Sequence, residues 1–195
     1  MNKLMGLYEL KHMQLPTIQW KVFTDETKLD DGMLWTIRSA VYRGSDLNLP
    51  RKVGVNSLDA MNFAIELCKA MKDDGIVIYY PYFVAIKSGT IEVAAEKIVI
   101  EAVKADLWNL VSGSKKDVTY WITGDEEKTD GDKDFLTERE KKDLLRYVKE
   151  IKRIFRSDLF EGKSVLLEWS IAQNCDLERK PLGEEYLVFY EMRSL

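Results

Sequence analysis

Between Ile76 and Val103 the chain passes through four β-prone segments with almost nothing between them. Ile76–Tyr80 (IVIYY) is a continuous apolar run of the kind found in a buried central strand, and Pro81 interrupts it. Tyr82–Lys87, Gly89–Ala95 and Lys97–Val103 follow, with only Ser88 and Glu96 between them. A parallel crossover needs about a dozen residues or more, so these segments are predicted to pair antiparallel, as a three-stranded meander beside a central strand.

The rest of the chain alternates strand runs with isolated helices. Leu4, Leu7, Leu10 and Met13 recur at helical spacing over residues 3–14, and Pro16 stops that helix. Thr17–Thr24 and Leu34–Ser39 read as strands. Residues 42–56 break both periodicities and read as a long loop with three cations, Arg43, Arg51 and Lys52. Ser57 starts a second helix whose apolar stripe is Met61, Ala64, Ile65, Cys68 and Met71. Ala105–Val111 reads as a short helix or turn and Asp117–Thr123 as a strand. Residues 124–134 read as a solvated loop. Their likeness to a calcium loop fails, because with Gly131 at the sixth position Lys128 and Thr137 fall where ligands belong. Thr137-x-x-Glu140 is a capping box opening an amphipathic helix through Leu144, Val148, Ile151 and Phe155. Val165–Ile171 and Tyr186–Arg193 close the chain as strands around a charged loop, 173–185. The class is α+β (mixed α/β), with mainly antiparallel sheets and flanking helices. Two lobes, 1–75 and 76–195, are expected to form one unit.

Composition removes several functions. The chain has 195 residues, 46% of them hydrophobic, so wholesale disorder is excluded. Its net charge of −4 lacks the positive field of nucleic-acid binders. No apolar run approaches the ~20 residues that span a bilayer, and the first residues are not expected to act as a signal peptide, being soon interrupted by Glu9 and Lys11. Cys68 and Cys175 are too few for a disulfide framework and suit a reducing, cytoplasmic compartment. A single histidine, His12, in the first helix, reads as a surface residue.

Three glutamates interrupt apolar strands: Glu101 in IVIEAV, Glu168 in VLLEWSI and Glu191 in VFYEMRS. A carboxylate inside a sheet needs a cation, a metal or a solvated face. Strand alternation also leaves each one the alternative of simply facing water. Two carboxylates from neighbouring strands would also form a hard oxygen site suited to Mg2+ beside a polyphosphate. Arg38, Arg193 and Lys3 are cations in comparable positions. Singly they read as surface charge, but an arginine fork also holds phosphate oxygens.

The order of these residues resembles the ATP-binding N-terminal domain of the phosphoenolpyruvate synthase and pyruvate phosphate dikinase family, which has an ATP-grasp fold. The resemblance runs in order along nearly the whole chain, through Lys3, Leu7, Glu9, Leu10 and Leu15-Pro16, then Ile37-Arg38-Ser39-Ala40. It continues through the apolar run Ile76–Tyr80, Ser88-Gly89, Ile100-Glu101-Ala102, Glu168-Trp169 and Glu191-Met192-Arg193. It implies an ATP-grasp-like two-lobed fold binding Mg2+ and ATP. By the same resemblance Lys3 and Arg38 would hold phosphates, and Tyr79 or Tyr80 would stand at the adenine hinge. Glu101 would face the base or ribose, Glu168 and Glu191 would ligate Mg2+, and Arg193 would steady the transferred phosphoryl group. The sequence departs from the family where Arg43-Gly44-Ser45-Asp46 replaces an acidic pair, leaving only Asp46 there, and where Glu191 replaces a glutamine.

Two functions are open on this basis. One is a phosphotransferase subunit passing phosphate from ATP to a separate protein or small molecule. The other is a degenerate, non-catalytic relative that binds a ligand or protein. For the second, Tyr79, Tyr80, Tyr82 and Phe83 would fill an adenine pocket or be plain core.

Overall fold

The computed structural model describes residues 1–44, 46, 48–107 and 116–195. The elements run α1 (Lys3–His12), β1 (Lys21–Val22), β2 (Trp35–Val41), β3 (Arg51–Val55), α2 (Ser57–Met71), β4 (Gly75–Pro81), β5 (Val84–Val93) and β6 (Ile98–Lys104). They continue with β7 (Val118–Thr123), β8 (Glu126–Gly131), α3 (Glu138–Leu145), α4 (Val148–Ile154), α5 (Arg156–Phe160), β9 (Val165–Cys175) and β10 (Pro181–Ser194). Among the described residues ten strands form two antiparallel sheets, in the orders β1-β4-β2-β3 and β10-β9-β5-β6-β7-β8. The expected mixed α+β class with antiparallel sheets is observed. Most of the segment expected as a helix or turn at Ala105–Val111 lies outside the described residues.

Strand alternation divides each sheet into two faces. Trp35, Ile37, Val41 and Val77 point to one side of the four-stranded sheet and bury Ala60, Ala64, Leu67 and Met71 of α2. The opposite face carries Ile78 and Tyr80, which pack with Leu7 of α1, Ala172 of β9 and Val188 of β10. That second layer joins the two sheets. In the six-stranded sheet Ile91, Ile100, Tyr120, Leu167, Trp169 and Met192 make one face apolar, covered by Leu144, Val148, Ile151 and Leu159 of α3 to α5.

Several local readings are corrected. Ser88-Gly89 is not a turn: β5 runs straight through it, so the expected meander is a longer strand paired with β6. Ser88 is buried and its hydroxyl meets that of Ser170 at 2.8 Å. A Cβ on Gly89 would lie 2.0 Å from the Glu101 carbonyl oxygen and 2.6 Å from the Trp169 ring, so glycine is there to admit the indole. The hydrophilic stretch 124–134 contains an edge strand, β8, all but one of whose residues are exposed. The charged segment 173–185 is mostly hairpin, its strands extending to Cys175 and from Pro181. The 42–56 loop contains β3, while the strand expected over Thr17–Thr24 contracts to Lys21–Val22. Helix α2 is capped by Asn56 rather than Ser57, and its buried stripe includes Ala60 and Leu67 in place of Met61, Ile65 and Cys68. The capping box at Thr137 and Glu140 forms, but the helix it opens is broken into three pieces.

No helix among the described residues is long and apolar enough to cross a membrane.

Candidate functional site

The site lies where the inner face of the four-stranded sheet meets the polar face of the six-stranded one. Three placements create it. Arg38 sits in the middle of β2, paired with Ile78 of β4, and so points to the inner face. Lys3 begins α1. The side chain of Asn2 caps that helix, accepting from the Met5 amide at 3.0 Å, and donates to the carbonyls of Val41 and Tyr42. The Lys3 amide donates to Asp46 at 2.8 Å. The helix start is thereby fastened to the end of β2, close to Arg38. Farther along, α1 lies directly on β10: a Cβ on Gly6 would fall 1.8 Å from the Met192 carbonyl oxygen.

The third placement is a β-bulge in β10. Phe189 pairs with Trp169 and Glu191 with Glu168, so two steps on β10 match one on β9. Phe189 and Trp169 face the apolar core. Without the extra residue, Tyr190, alternation would send Glu191 to that same face. The bulge puts Glu191 and Arg193 beside Glu168 on the polar face. The pairing Glu191, Glu168, Thr90, Glu101 and Thr119 then forms one polar row across β10, β9, β5, β6 and β7.

Five of the sequence-predicted residues are joined by ion pairs. Glu191 Oε1 accepts from Arg193 Nη2 at 2.6 Å and lies 3.2 Å from Lys3 Nζ. Glu191 Oε2 accepts from Arg38 Nη2 at 2.9 Å. Glu168 Oε1 accepts from the same Arg193 Nη2 at 3.0 Å. Side-chain exposure is 3% for Glu191 and 16% for Glu168, against 13% for Arg38 and 27% for Arg193. Three cations thus face two carboxylates, an excess of one positive charge.

The two carboxyls are electrostatically unlike. Burial raises the Glu191 carboxyl, but Arg38, Lys3 and Arg193 outweigh it and hold its pKa below the ordinary value. At Glu168 burial and the Glu191 charge win over Arg193, Arg38 and Lys3, so its pKa is raised. Burial would lower the Arg38 guanidinium. Tyr80 and Glu191 overcome that, and Arg38 stays charged throughout the accessible pH range.

The remaining candidates divide. Tyr80 lies beside Arg38 on the inner face and helps to keep its guanidinium charged. Tyr79, one residue away, turns to the α2 side and makes edge contacts with Phe23 and Trp35. Glu101 belongs to the polar row, two strands from Glu168, and pairs with Lys116. His12 is exposed and bonds the Tyr8 carbonyl. The sequence reading missed Tyr190, whose phenol pKa is pushed up by burial and then by Glu168. Its ring meets Phe83, which stacks on Tyr82, so an aromatic strip extends from the ion-pair cluster. No sequence signal marks Tyr190, because its position depends on the bulge.

Among the described residues no three carboxylate, thiol or imidazole groups stand together as a metal cage. The available donors are Glu168 and Glu191. Both present an oxygen to one point, now held by a guanidinium nitrogen, and two hard oxygens converging on a cation suit Mg2+.

The architecture has counterparts among solved structures. D-alanine-D-alanine ligase from Helicobacter pylori superposes with a TM-score of 0.53 at 14% identity, over 98% of this chain and 50% of that one. An N5-carboxyaminoimidazole ribonucleotide synthetase, solved with ADP, gives 0.53 at 9% identity, over 98% and 44%. D-alanyl-alanine synthetase A from Vibrio cholerae gives 0.52 at 12%, over 98% and 54%. These are ATP-grasp enzymes.

The chain has an ATP-grasp fold.

It spans about half the length of the structures it matches. No protein-family model matches the chain, and no curated protein matches it in sequence. The expected fold is therefore established at the level of ATP-grasp architecture. The three structures named above are ligases and synthetases.

Proposed function

We propose that the chain binds Mg-ATP where its two sheets meet, with Lys3, Arg38 and Arg193 receiving the polyphosphate and Glu168 and Glu191 holding the metal. The observation supporting this reading is the convergence of those five residues, from α1, β2, β9 and β10, into one ion-paired cluster with excess positive charge. Arg38 is fixed and permanently charged, which suits a phosphate clamp. Arg193 is the most exposed of the cations and suits contact with the phosphoryl group in transit. Mg2+ would neutralise phosphate charge as the terminal group leaves. Tyr80 and the strip of Tyr190, Phe83 and Tyr82 offer aromatic surface for the nucleoside, with Glu101 farther along the row.

Phosphoryl transfer needs positioning and charge neutralisation more than a nucleophilic side chain, and this cluster supplies both. The acceptor is a separate small molecule or protein. The narrower reading, a phosphotransferase related to phosphoenolpyruvate synthase, rests on the chain order Lys3, Arg38, Glu168, Glu191, Arg193. The ligase neighbours support ATP use more generally.

The closed character of the cluster favours a second reading. Every charge in it has a partner without any ligand, as expected of a non-catalytic relative that keeps the fold and binds a ligand or protein.

Thermal unfolding with Mg-ATP, Mg-ADP and AMP separates the two. A ligand at 100 times its Kd stabilises by about 2.7 kcal/mol, a readily measured shift. A Mg-dependent rise with ATP, lost in Glu168→Ala while the fold persists, is the expected result. No shift at millimolar ATP would overturn the nucleotide reading in favour of the second.

A further inference from the structure

One guanidinium nitrogen occupies the point on which both carboxylates converge. Arg193 Nη2 is 2.6 Å from Glu191 Oε1 and 3.0 Å from Glu168 Oε1. The other oxygen of Glu191 is engaged by Arg38, and Lys3 approaches the first from α1. A metal ion drawing one oxygen from each glutamate would have to stand where Arg193 stands.

We propose that Arg193 is a tethered counter-ion that keeps divalent metal out of the free protein and leaves its seat when a polyphosphate arrives. The proposal rests on the nucleotide reading above and adds an order to it: metal enters with the polyphosphate, not before.

Charge and mobility both support this. With Arg193 in place the cluster carries one excess positive charge, which repels an incoming dication at a range of ~5 Å. With Arg193 withdrawn, Lys3 and Arg38 balance Glu168 and Glu191, and the repulsion falls. A polyphosphate supplies both the negative charge that attracts the metal and oxygens that accept the guanidinium fork. The other two cations are poorer candidates for the moving part. Arg38 is central in β2, 13% exposed and flanked by Tyr80 and Glu191. Lys3 is fixed by its own amide to Asp46 and by the Asn2 cap. Arg193 is one residue from the end of β10, and its side chain is the most exposed of the three, at 27%. It can swing towards solvent without disturbing either sheet.

The test measures Mn2+ retained with the protein in equilibrium dialysis, for the wild-type chain and for Arg193→Gln and Arg193→Lys, with and without ATP. The expected result is that the wild type and Arg193→Lys take up Mn2+ only with ATP. Arg193→Gln should bind Mn2+ alone at least ~10-fold more tightly than the wild type. Equal affinity of wild type and Arg193→Gln for Mn2+ alone would overturn the proposal while leaving the nucleotide reading intact. Failure of the wild type to take up Mn2+ even with ATP would overturn the nucleotide reading itself. A second measurement needs only the wild-type fold. The Arg193 guanidinium NMR signals, assigned against Arg193→Lys, should be unmoved by Mg2+ alone and shifted by Mg-ATP. An equal shift with Mg2+ alone would overturn the order of entry.

Discussion

Arg38 Nη2 and Glu191 Oε2 lie 2.9 Å apart across the seam between the sheets, which makes a single ion pair both a structural tie and part of the candidate site. Glu191 is almost wholly buried, so the pair is held in a medium that penalises either charge alone.

Replacing Arg38 with methionine should therefore cost about 3 kcal/mol, the low end for breaking a buried pair because Lys3 and Arg193 still face Glu191. Urea denaturation at pH 7 checks this. A loss below about 0.5 kcal/mol would mean that the contact does not tie the sheets.

The two glutamates should bend the pH profile of stability in opposite directions. Glu191 has its folded pKa below 4.5. Its contribution is present above that value and is lost as pH falls through the folded pKa. Glu168 has its folded pKa above 4.5. The folded state then binds the proton more tightly, and stability declines as pH rises from 4.5 through the raised value. Urea midpoints from pH 3 to 8 should show Glu191→Gln flattening the acid limb and Glu168→Gln removing the decline above 4.5. Identical profiles for both variants would contradict this asymmetry.

Gly6→Ala should loosen α1 from β10. The added methyl would fall 1.8 Å from a backbone oxygen, which cannot rotate away as a side chain would. Overpacking of this kind costs about 1–3 kcal/mol or more. Because α1 carries Lys3, ATP affinity should fall with stability, and calorimetry on the folded variant measures both.

Thr137→Ala should cost about 1 kcal/mol by removing the capping box of α3. It lies on the opposite side of the six-stranded sheet from the ion pairs and should leave nucleotide affinity unchanged. A change in affinity would show that the helical layer and the polar face are coupled.

Arg193→Ala should weaken ATP binding more than adenosine binding. Competition against a fluorescent nucleotide measures the ratio, and equal losses would place Arg193 away from the phosphates.

The sequence disclosed the antiparallel class through its short connections, and it disclosed the charged cluster because glutamates are conspicuous within IVIEAV, VLLEWSI and VFYEMRS. What it hid depends on contacts between distant segments. Ser88-Gly89 has the composition of a turn, yet Trp169, eighty residues away, requires a glycine beneath its ring. The β8 segment is too charged to read as a strand, and pairing with β7 overrides its propensity. Alternation separates Tyr79 from Tyr80, but which of them meets Arg38 depends on how the β4 register presents its two faces. The unlike behaviour of Glu168 and Glu191 depends on Lys3 and Arg38 reaching one of them more closely, which no spacing along the chain encodes.

The bulge at Tyr190 has an evolutionary consequence. Side chains on a strand change sides with every residue added or removed, so one codon gained or lost near position 190 would exchange the neighbours of Glu191 wholesale. The carboxylate would be delivered into hydrocarbon, and Phe189 or Met192 would be turned out among the arginines. Point substitutions can erode this site gradually, but a single-residue insertion or deletion would abolish or create it in one event. Relatives that differ in activity are therefore best compared first by the length of this strand and only then by the identity of its residues.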